Sequence, residues 1–446
     1  MKQLLFLLFL FLPYLLPAQD ADRLNTLLDE WEKENRYMGE VMITKGDSIT
    51  LHRYVGYKNV EKNIRHDSTS IFAIGSISKT FTAIMILKAV EQNKLSLDST
   101  VDEFLPELPN SSQMSIRHLL RHQTGLRNNT EDLMVRRFIP VGAPLPKLIE
   151  PLYKMETDHL PGEQYQYSNS NYVILSHVLE SIYKKPYQLI LEEQITTPLD
   201  LSNTFLTTVD LTKLRSKSSG HYRNQKVMLL SSSVHPLFAS GAGGINSTAT
   251  DINKLAKALF KDGFLPEYLL EEMTDTSGEG SYGMGIYRSE ILGKASIGHN
   301  GAINGFHTDW LYLPEEDITM IFLMNRENFD LFITVQELVA TYYGIPVPAS
   351  PYKVDPILLE DIKGSYALSP TFKIHIYEDE DILYSRATNQ GENALIPQDG
   401  MDFKVSGVDA RVVFVEEGGV VTHLILEQNG LEQKGIKESI DTSLYK

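Results

Sequence analysis

The chain contains no cysteine. That excludes a disulfide frame, a lipobox anchor, a thiolate nucleophile and any cysteine-based metal site, so a covalent catalyst built here has to attack through oxygen. Basic charge is also short: 41 Lys and Arg stand against 58 Asp and Glu, a formal charge of −17. Such a surface repels phosphate backbones and anionic lipid, and no nucleic-acid partner is expected. A stable membrane span in the mature chain is not expected either. The candidate, Leu4 to Leu16, is interrupted by Pro13, follows Lys2 and ends at Pro17-Ala18 before the polar Gln19-Asp20. That pattern reads as a secretory signal peptide over residues 1–18, and it implies a secreted or periplasmic protein.

What is present is an ordinary globular composition: 446 residues, 42% hydrophobic and 22% charged, enough for two or three domains. Leu24, Leu27, Leu28 and Trp31 recur at helical spacing, which predicts an amphipathic helix over 20–36. Residues 40–44 and 48–54 read as a hairpin turned at Gly46. His52 and His66 read as surface residues. Phe81 to Val90 is apolar nearly all round, the pattern of a buried helix. From Leu95 to Asp200 helices and loops dominate. Among them Ser115 to His122 reads as a capped helix whose His118 and His122 are structural, because no acidic ligand pattern follows them. Residues 282–287, 296–302, 308–313 and 318–325 read as strands. The order hairpin, helical insert, strands implies an α/β plus all-α architecture, an antiparallel sheet flanked by helices with a helical insert. Pro346, Pro348, Pro351 and Pro356 stiffen a linker over 344–356. Strand patterns at 372–377, 382–384, 411–415 and 422–426 then predict a small antiparallel β domain. The expected division is a signal peptide at 1–18, a main domain at 19–343, the linker at 344–356 and the β domain at 357–446.

Three stretches carry chemistry. Ser76 and Lys79, three apart at the head of the buried helix, share a face, and an amine that loses its proton on desolvation can activate a hydroxyl. The spacing alone carries little, since Ser-x-x-Lys recurs at Ser181/Lys184, Ser350/Lys353 and Ser443/Lys446. Context adds weight: a lysine in the first turn of a buried helix is costly unless it is paired, neutral or at a cleft wall. In the second stretch, Pro161 to Tyr172, a Pro-Gly turn precedes Tyr167 and Asn169, two apart in an extended segment and projecting to one side. A phenol near an ammonium is expected to have a lowered pKa and to relay protons. Tyr-x-Asn also occurs at Tyr57/Asn59 and Tyr222/Asn224. The glycine-rich Ser240 to Asp251 is not a phosphate loop, because no Gly-Lys-Ser/Thr follows it, and it suits close backbone packing beside a cleft. His299-Asn300-Gly301 lies in one of the late strands.

Ser76-x-x-Lys79, Tyr167-Ser168-Asn169 and His299-Asn300-Gly301, in that order, resemble the three active-site motifs of the penicillin-recognising serine hydrolases. The branch they resemble holds class C β-lactamases, D-aminopeptidases and DD-carboxypeptidases, the peptidase S12-like enzymes, and the likeness extends over roughly residues 22–340. It implies Ser76 as the acyl-accepting nucleophile, Lys79 as its proton acceptor and Tyr167 as an assistant in acylation and deacylation. It also implies that Asn169 holds a substrate amide, that His299 stands where β-lactamases carry lysine, and that Gly301 and Ala302 line the substrate site. The backbone N–H groups of Ser76 and Ala302 would then form the oxyanion hole. An imidazole is only partly charged at neutral pH and grips a carboxylate less firmly than lysine does. Amide or ester hydrolysis on D-amino-acid peptides or small esters is therefore expected, with no metal or cofactor and with peptidoglycan as a further candidate partner. β-Lactamase activity is one alternative. A non-catalytic peptidoglycan or peptide sensor of the same fold is another. The C-terminal segment resembles the β modules appended to many such hydrolases.

Overall fold

The computed structural model describes residues 18–131, 133–206, 210–224, 227–231, 234–327, 329–346, 354, 356–379, 382–388, 390–406, 408–428 and 431–438. The expected signal peptide and most of the proline-rich linker lie outside these residues.

Helix α1 (Ala18–Lys33) leads into the hairpin β1 (Gly39–Lys45) and β2 (Ser48–Val55), with Gly46 at φ +58° in its turn. The chain then makes helix α2 (Ser78–Glu91), crosses a helical region that contains α3 (Asn169–Tyr183), and forms α4 (Ala249–Phe260). It returns to the sheet as β3 (Tyr287–Ile291), β4 (Lys294–Ile303), β5 (Phe306–Leu313) and β6 (Ile318–Met324), and α5 (Leu331–Tyr342) closes this part. The six strands are antiparallel throughout, in the order β2-β1-β6-β5-β4-β3. The two chain ends of this part therefore meet at the β1/β6 pair, where Gly39 opposes Met324.

Alternation along the strands sends side chains into two separate cores. Val41, Ile43, Leu311, Met320 and Phe322 pack with Leu24, Leu28, Val335 and Leu338 of α1 and α5. Met42, Trp310, Ile321 and Leu323 face the other way, onto α2, α4 and the helical region. On that second face α2 is enclosed on all sides: every residue from Ser78 to Leu87 is buried. Its hydroxyls are bonded, Thr80 Oγ1 donating to the Gly285 carbonyl at 2.7 Å and Thr82 Oγ1 to that of Gly241 at 2.6 Å.

Beyond a short helix (Pro356–Ile362), eight strands close into an antiparallel barrel, from Gly364–Ser369 to Leu431–Lys437. Tyr366, Ile376, Leu395, Phe403, Val412 and Leu424 fill it. A second cluster sits on its outside, where Phe329 packs with Ile382, Tyr384, Ala394 and Ile396, so an apolar seam joins the barrel to the segment just before α5.

Several expectations need correction. Residues 282–287 are not a strand: the strand begins only at Tyr287, Tyr282 forms an isolated bridge back to it, and Gly283 N–H bonds the Ile286 carbonyl in the turn between them. Asn169 is not in an extended segment but opens α3, with Ser168 as its N-cap. His66 is not a surface residue. It is 8% exposed with Nε2 3.0 Å from Asn325 Oδ1, and burial lowers its pKa to about 4.

Candidate active site

Ser76 sits in a 3-10 turn, Gly75–Ile77, that runs directly into α2. Two glycines let this turn lie against β4. Gly75 has φ +52°, and a Cβ there would come within 2.8 Å of the Ala302 nitrogen. A Cβ on Gly301 would meet the Ile74 carbonyl at 2.2 Å and the Ser76 nitrogen at 3.0 Å. The backbone N–H groups of Ser76 and Ala302 thus lie along one seam. β3 covers β4 only from Lys294 to Gly298, so the edge from His299 to Ile303 has no strand partner and lies beside the turn. Thr308 Oγ1 donates to the Ile74 carbonyl at 2.9 Å and fastens the seam from β5.

Lys79 lies one turn into the helical run. Its Nζ is 2.9 Å from Ser76 Oγ, and it donates to Asn169 Oδ1 at 2.8 Å and to the Ala242 carbonyl at 2.6 Å. The residue is fully buried, and none of these partners carries charge. Desolvation therefore holds its pKa well below the ordinary lysine value. The Ala242 carbonyl belongs to the glycine-rich segment, whose Gly243 lies within van der Waals reach of Gly75.

The Tyr167 hydroxyl donates to Ser76 Oγ at 3.0 Å. Tyr167 is 37% exposed as a residue, yet the protein packed about its hydroxyl raises its pKa above the ordinary phenol range. The expected lowering does not occur, because burial of the hydroxyl is the largest influence on it.

Tyr167 and Asn169 are held in place by His122, which lies in a left-handed conformation at φ +57° and is fully buried. Its Nδ1 accepts from the Ser168 N–H at 3.2 Å and lies 3.0 Å from Asn171 Nδ2. The ring packs on Tyr167, Tyr172 and Tyr282 with centroids 4.3, 5.1 and 4.7 Å away. Burial keeps His122 neutral by lowering its pKa well below the usual value. Sequence spacing had no means to show that this histidine braces the second motif.

His299 departs most from expectation. It is 1% exposed, with Nδ1 donating to the Asn300 carbonyl at 2.6 Å and Nε2 2.9 Å from the Tyr282 hydroxyl. With Nδ1 protonated, Nε2 must be the acceptor of the Tyr282 O–H. Burial drives its pKa to about 3. The partly charged imidazole expected from the sequence is thus a neutral one, with both nitrogens already occupied. Tyr282, which completes this arrangement, was read only as part of a strand.

A cavity of about 450 Å³ opens over these groups, lined by Ser76, Asn169, Ala242, Ala302 and Asn304 among others. A neighbouring cavity of about 430 Å³ shares Ala302, Ile303 and Asn304 with it and is closed on its far side by Gln390, Glu392 and Asn393 of the barrel. The barrel therefore reaches the rim of the cleft. Among the described residues no cluster of three or more His, Asp or Glu is placed to hold a metal ion, and no helix is long and apolar enough to cross a membrane.

A hydroxyl flanked by a buried amine of lowered pKa and a phenol, at the head of a buried helix and beside a strand edge, is equipped for acyl transfer through a serine ester. The profile of the Beta-lactamase family matches residues 28–339, and the chain belongs to that family. It is a serine hydrolase related to the β-lactamases and penicillin-binding proteins. Over 446 aligned residues it is 24% identical to penicillin-binding protein 4* of Bacillus subtilis (strain 168), covering 93% of this chain and 98% of that protein. It is 23% identical to the D-aminopeptidase of Gluconobacter oxydans (strain 621H), over 69% of this chain and 59% of that longer protein. In three dimensions it matches the octameric penicillin-binding protein homologue from Pyrococcus abyssi with a TM-score of 0.68 at 23% identity, across 93% of this chain and 99% of the other. The two full-length matches take in the barrel as well as the main domain.

Proposed function

We propose that the protein is a secreted hydrolase that cleaves amide or ester bonds of D-amino-acid-containing peptides or small esters through an acyl-enzyme on Ser76. The observation that carries this reading is Lys79: a fully buried amine, bonded only to neutral groups, 2.9 Å from Ser76 Oγ. As a neutral base it takes the Ser76 proton while Oγ attacks the substrate carbonyl. The N–H groups of Ser76 and Ala302, along the seam held open by Gly75 and Gly301, receive the oxyanion; each such donor is worth roughly 3 to 4 kcal/mol in enzymes where one has been removed. Tyr167, protonated and already aimed at Oγ, gives its proton to the leaving group and takes back the one that Lys79 accepted, and later helps position the hydrolytic water. Asn169 spends its carbonyl on Lys79 and turns its amide nitrogen to the substrate. A pure binding protein has no use for a buried amine without a counterion, which disfavours the sensor reading.

The D-amino-acid preference is supported by the D-aminopeptidase likeness. Residues 1–18 would be removed on export, leaving 19–343 as the hydrolase domain, 344–356 as the link and 357–446 as the β domain. The test is intact-mass spectrometry after fluorophosphonate or penicillin treatment, together with turnover of an activated ester. An adduct on Ser76 and abolished turnover in a folded Ser76→Ala protein are expected; turnover retained by that variant would sink the assignment.

A further inference from the structure

A second cavity, of about 290 Å³, adjoins the cleft and shares Val234, Gly243, Ile303 and Asn304 with the cavity that holds Ser76. One wall is the segment Lys217-Ser218-Ser219-Gly220, and its backbone is pinned. Ile71 N–H donates to the Ser216 carbonyl at 3.0 Å, Ser218 N–H to that of Ile71 at 2.7 Å, and Ser219 N–H to that of Lys58 at 2.8 Å. Asn325 Nδ2 holds the Ser219 carbonyl at 2.9 Å.

Of the side chains of this wall Ser219 is spent, its Oγ accepting from Asn59 Nδ2 at 2.9 Å, and its neighbours are not. The Lys217 side chain makes no hydrogen bond or ion pair with any described residue, although the residue is only partly exposed. The hydroxyls of Ser218 and Ser231 also lack partners, and a serine rotor without a fixed partner is free to donate. No carboxylate is among the residues that line the cavity. Burial lowers the pKa of Lys217 with no acidic group countering it. Elsewhere in this acidic chain lysines find carboxylates readily: Lys257 meets Asp47, and Lys294 meets Glu316, each at 2.6 Å. An unpaired, half-buried ammonium beside free hydroxyls is a poor structural element and a good anion receptor. His299, with both ring nitrogens already bonded, has no free nitrogen for an anion.

We propose that this cavity is an anion subsite of the cleft, in which Lys217, helped by the Ser218 and Ser231 hydroxyls, holds a carboxylate or phosphate carried by the substrate away from the carbonyl that Ser76 attacks. The inference rests on the acyl-transfer reading for its substrate, but its test needs no turnover. Ser76→Ala protein is titrated calorimetrically with N-acetyl-D-alanyl-D-alanine and its C-terminal amide, and with N-acetyl-D-alanyl-ethanolamine phosphate and the unphosphorylated alcohol. At least one anion should bind about tenfold tighter than its neutral counterpart, the usual size of one charge-assisted contact. The pair with the larger ratio identifies the anion as carboxylate or phosphate. Adding Lys217→Gln should bring that ratio to one, and Lys217→Arg should keep most of it.

Equal affinities for the anionic and neutral ligands, or no binding of any, would overturn the proposal. So would an equal loss of both ligands in Lys217→Gln, which marks a structural lysine. Levelling by Arg136→Gln instead would place the anion at Arg136, the exposed cation lining the Ser76 cavity, and overturn it too. An anion preference that vanishes with Lys217 stands even where Ser76 fails to take up fluorophosphonate, so the two readings fail separately.

Discussion

Two buried nitrogen bases, Lys79 in the α2 wall behind Ser76 and His299 in the β4 wall beside it, are pushed toward the neutral form by the same force. Both pKa values fall because burial removes water and no carboxylate replaces it. Their surroundings then assign different tasks. Lys79 faces a hydroxyl at 2.9 Å that has to lose a proton, whereas His299 Nε2 is occupied by the Tyr282 hydroxyl at 2.9 Å. A shifted pKa is therefore no sign of catalysis by itself. What matters is whether the lone pair it frees points at a group that reacts or at one that merely needs a partner.

The largest effect separating the two walls is expected from Lys79→Met, which keeps length and removes the base. Acylation measured by stopped-flow with an activated ester should slow by about 10³-fold, near 4 kcal/mol, in a protein that still unfolds cooperatively. A loss under tenfold would pass the role of base to another group. Tyr167→Phe comes next: the phenol donates rather than anchors, so turnover should fall about 10²-fold, with substrate affinity far less affected. A change confined to KM would contradict proton transfer through Tyr167.

On the other wall the expected effects concern stability. His299 has a folded pKa of about 3 against the ordinary 6.5, so the unfolded chain binds the extra proton and stability falls as pH drops below 6.5. His299→Gln keeps a hydrogen-bonding side chain and removes the titration. Between pH 6.5 and pH 5 the wild-type protein should lose up to about 2 kcal/mol more than this variant in urea unfolding. Parallel pH curves for the two proteins would show that His299 is free to charge when folded. The smallest effect is expected from Tyr282→Phe, which leaves Nε2 without its donor. It should cost about 1 kcal/mol, with little change in turnover of a neutral ester. A rate loss matching that of Tyr167→Phe would move Tyr282 into the reacting set.

Much of the fold was legible where pattern and burial agree. The Gly46 hairpin, the all-apolar α2 and the late strands follow from periodicity, and four of the barrel strands coincide with alternating apolar stretches. Others were not read, among them Glu392–Asp399, with Pro397 inside it, and Leu431–Lys437, mostly polar and exposed. Those strands exist because their neighbours supply hydrogen bonds and close the barrel, which is a tertiary gain. Helix α5 went unread as well, although Asp330 caps it by accepting from Phe332 and Ile333. In the cleft, Ser76, Lys79, Tyr167 and Asn169 were legible as residues. His122 and Tyr282 were not, since their roles depend on packing across 46 and 17 positions of chain.

The sequence by itself determined that no thiolate could be the nucleophile, that a lysine would be forced into an apolar helix head, and that a strand-helix-strand order would bring the chain ends together in one sheet. Only the tertiary structure decided the burial that lowers the pKa of that lysine and of His299 and raises that of Tyr167, and the contact of the barrel with the cleft rim. The physical reason is that periodicity records which side chains leave water, while charge depends on what each meets when it arrives, and those neighbours come from distant parts of the chain.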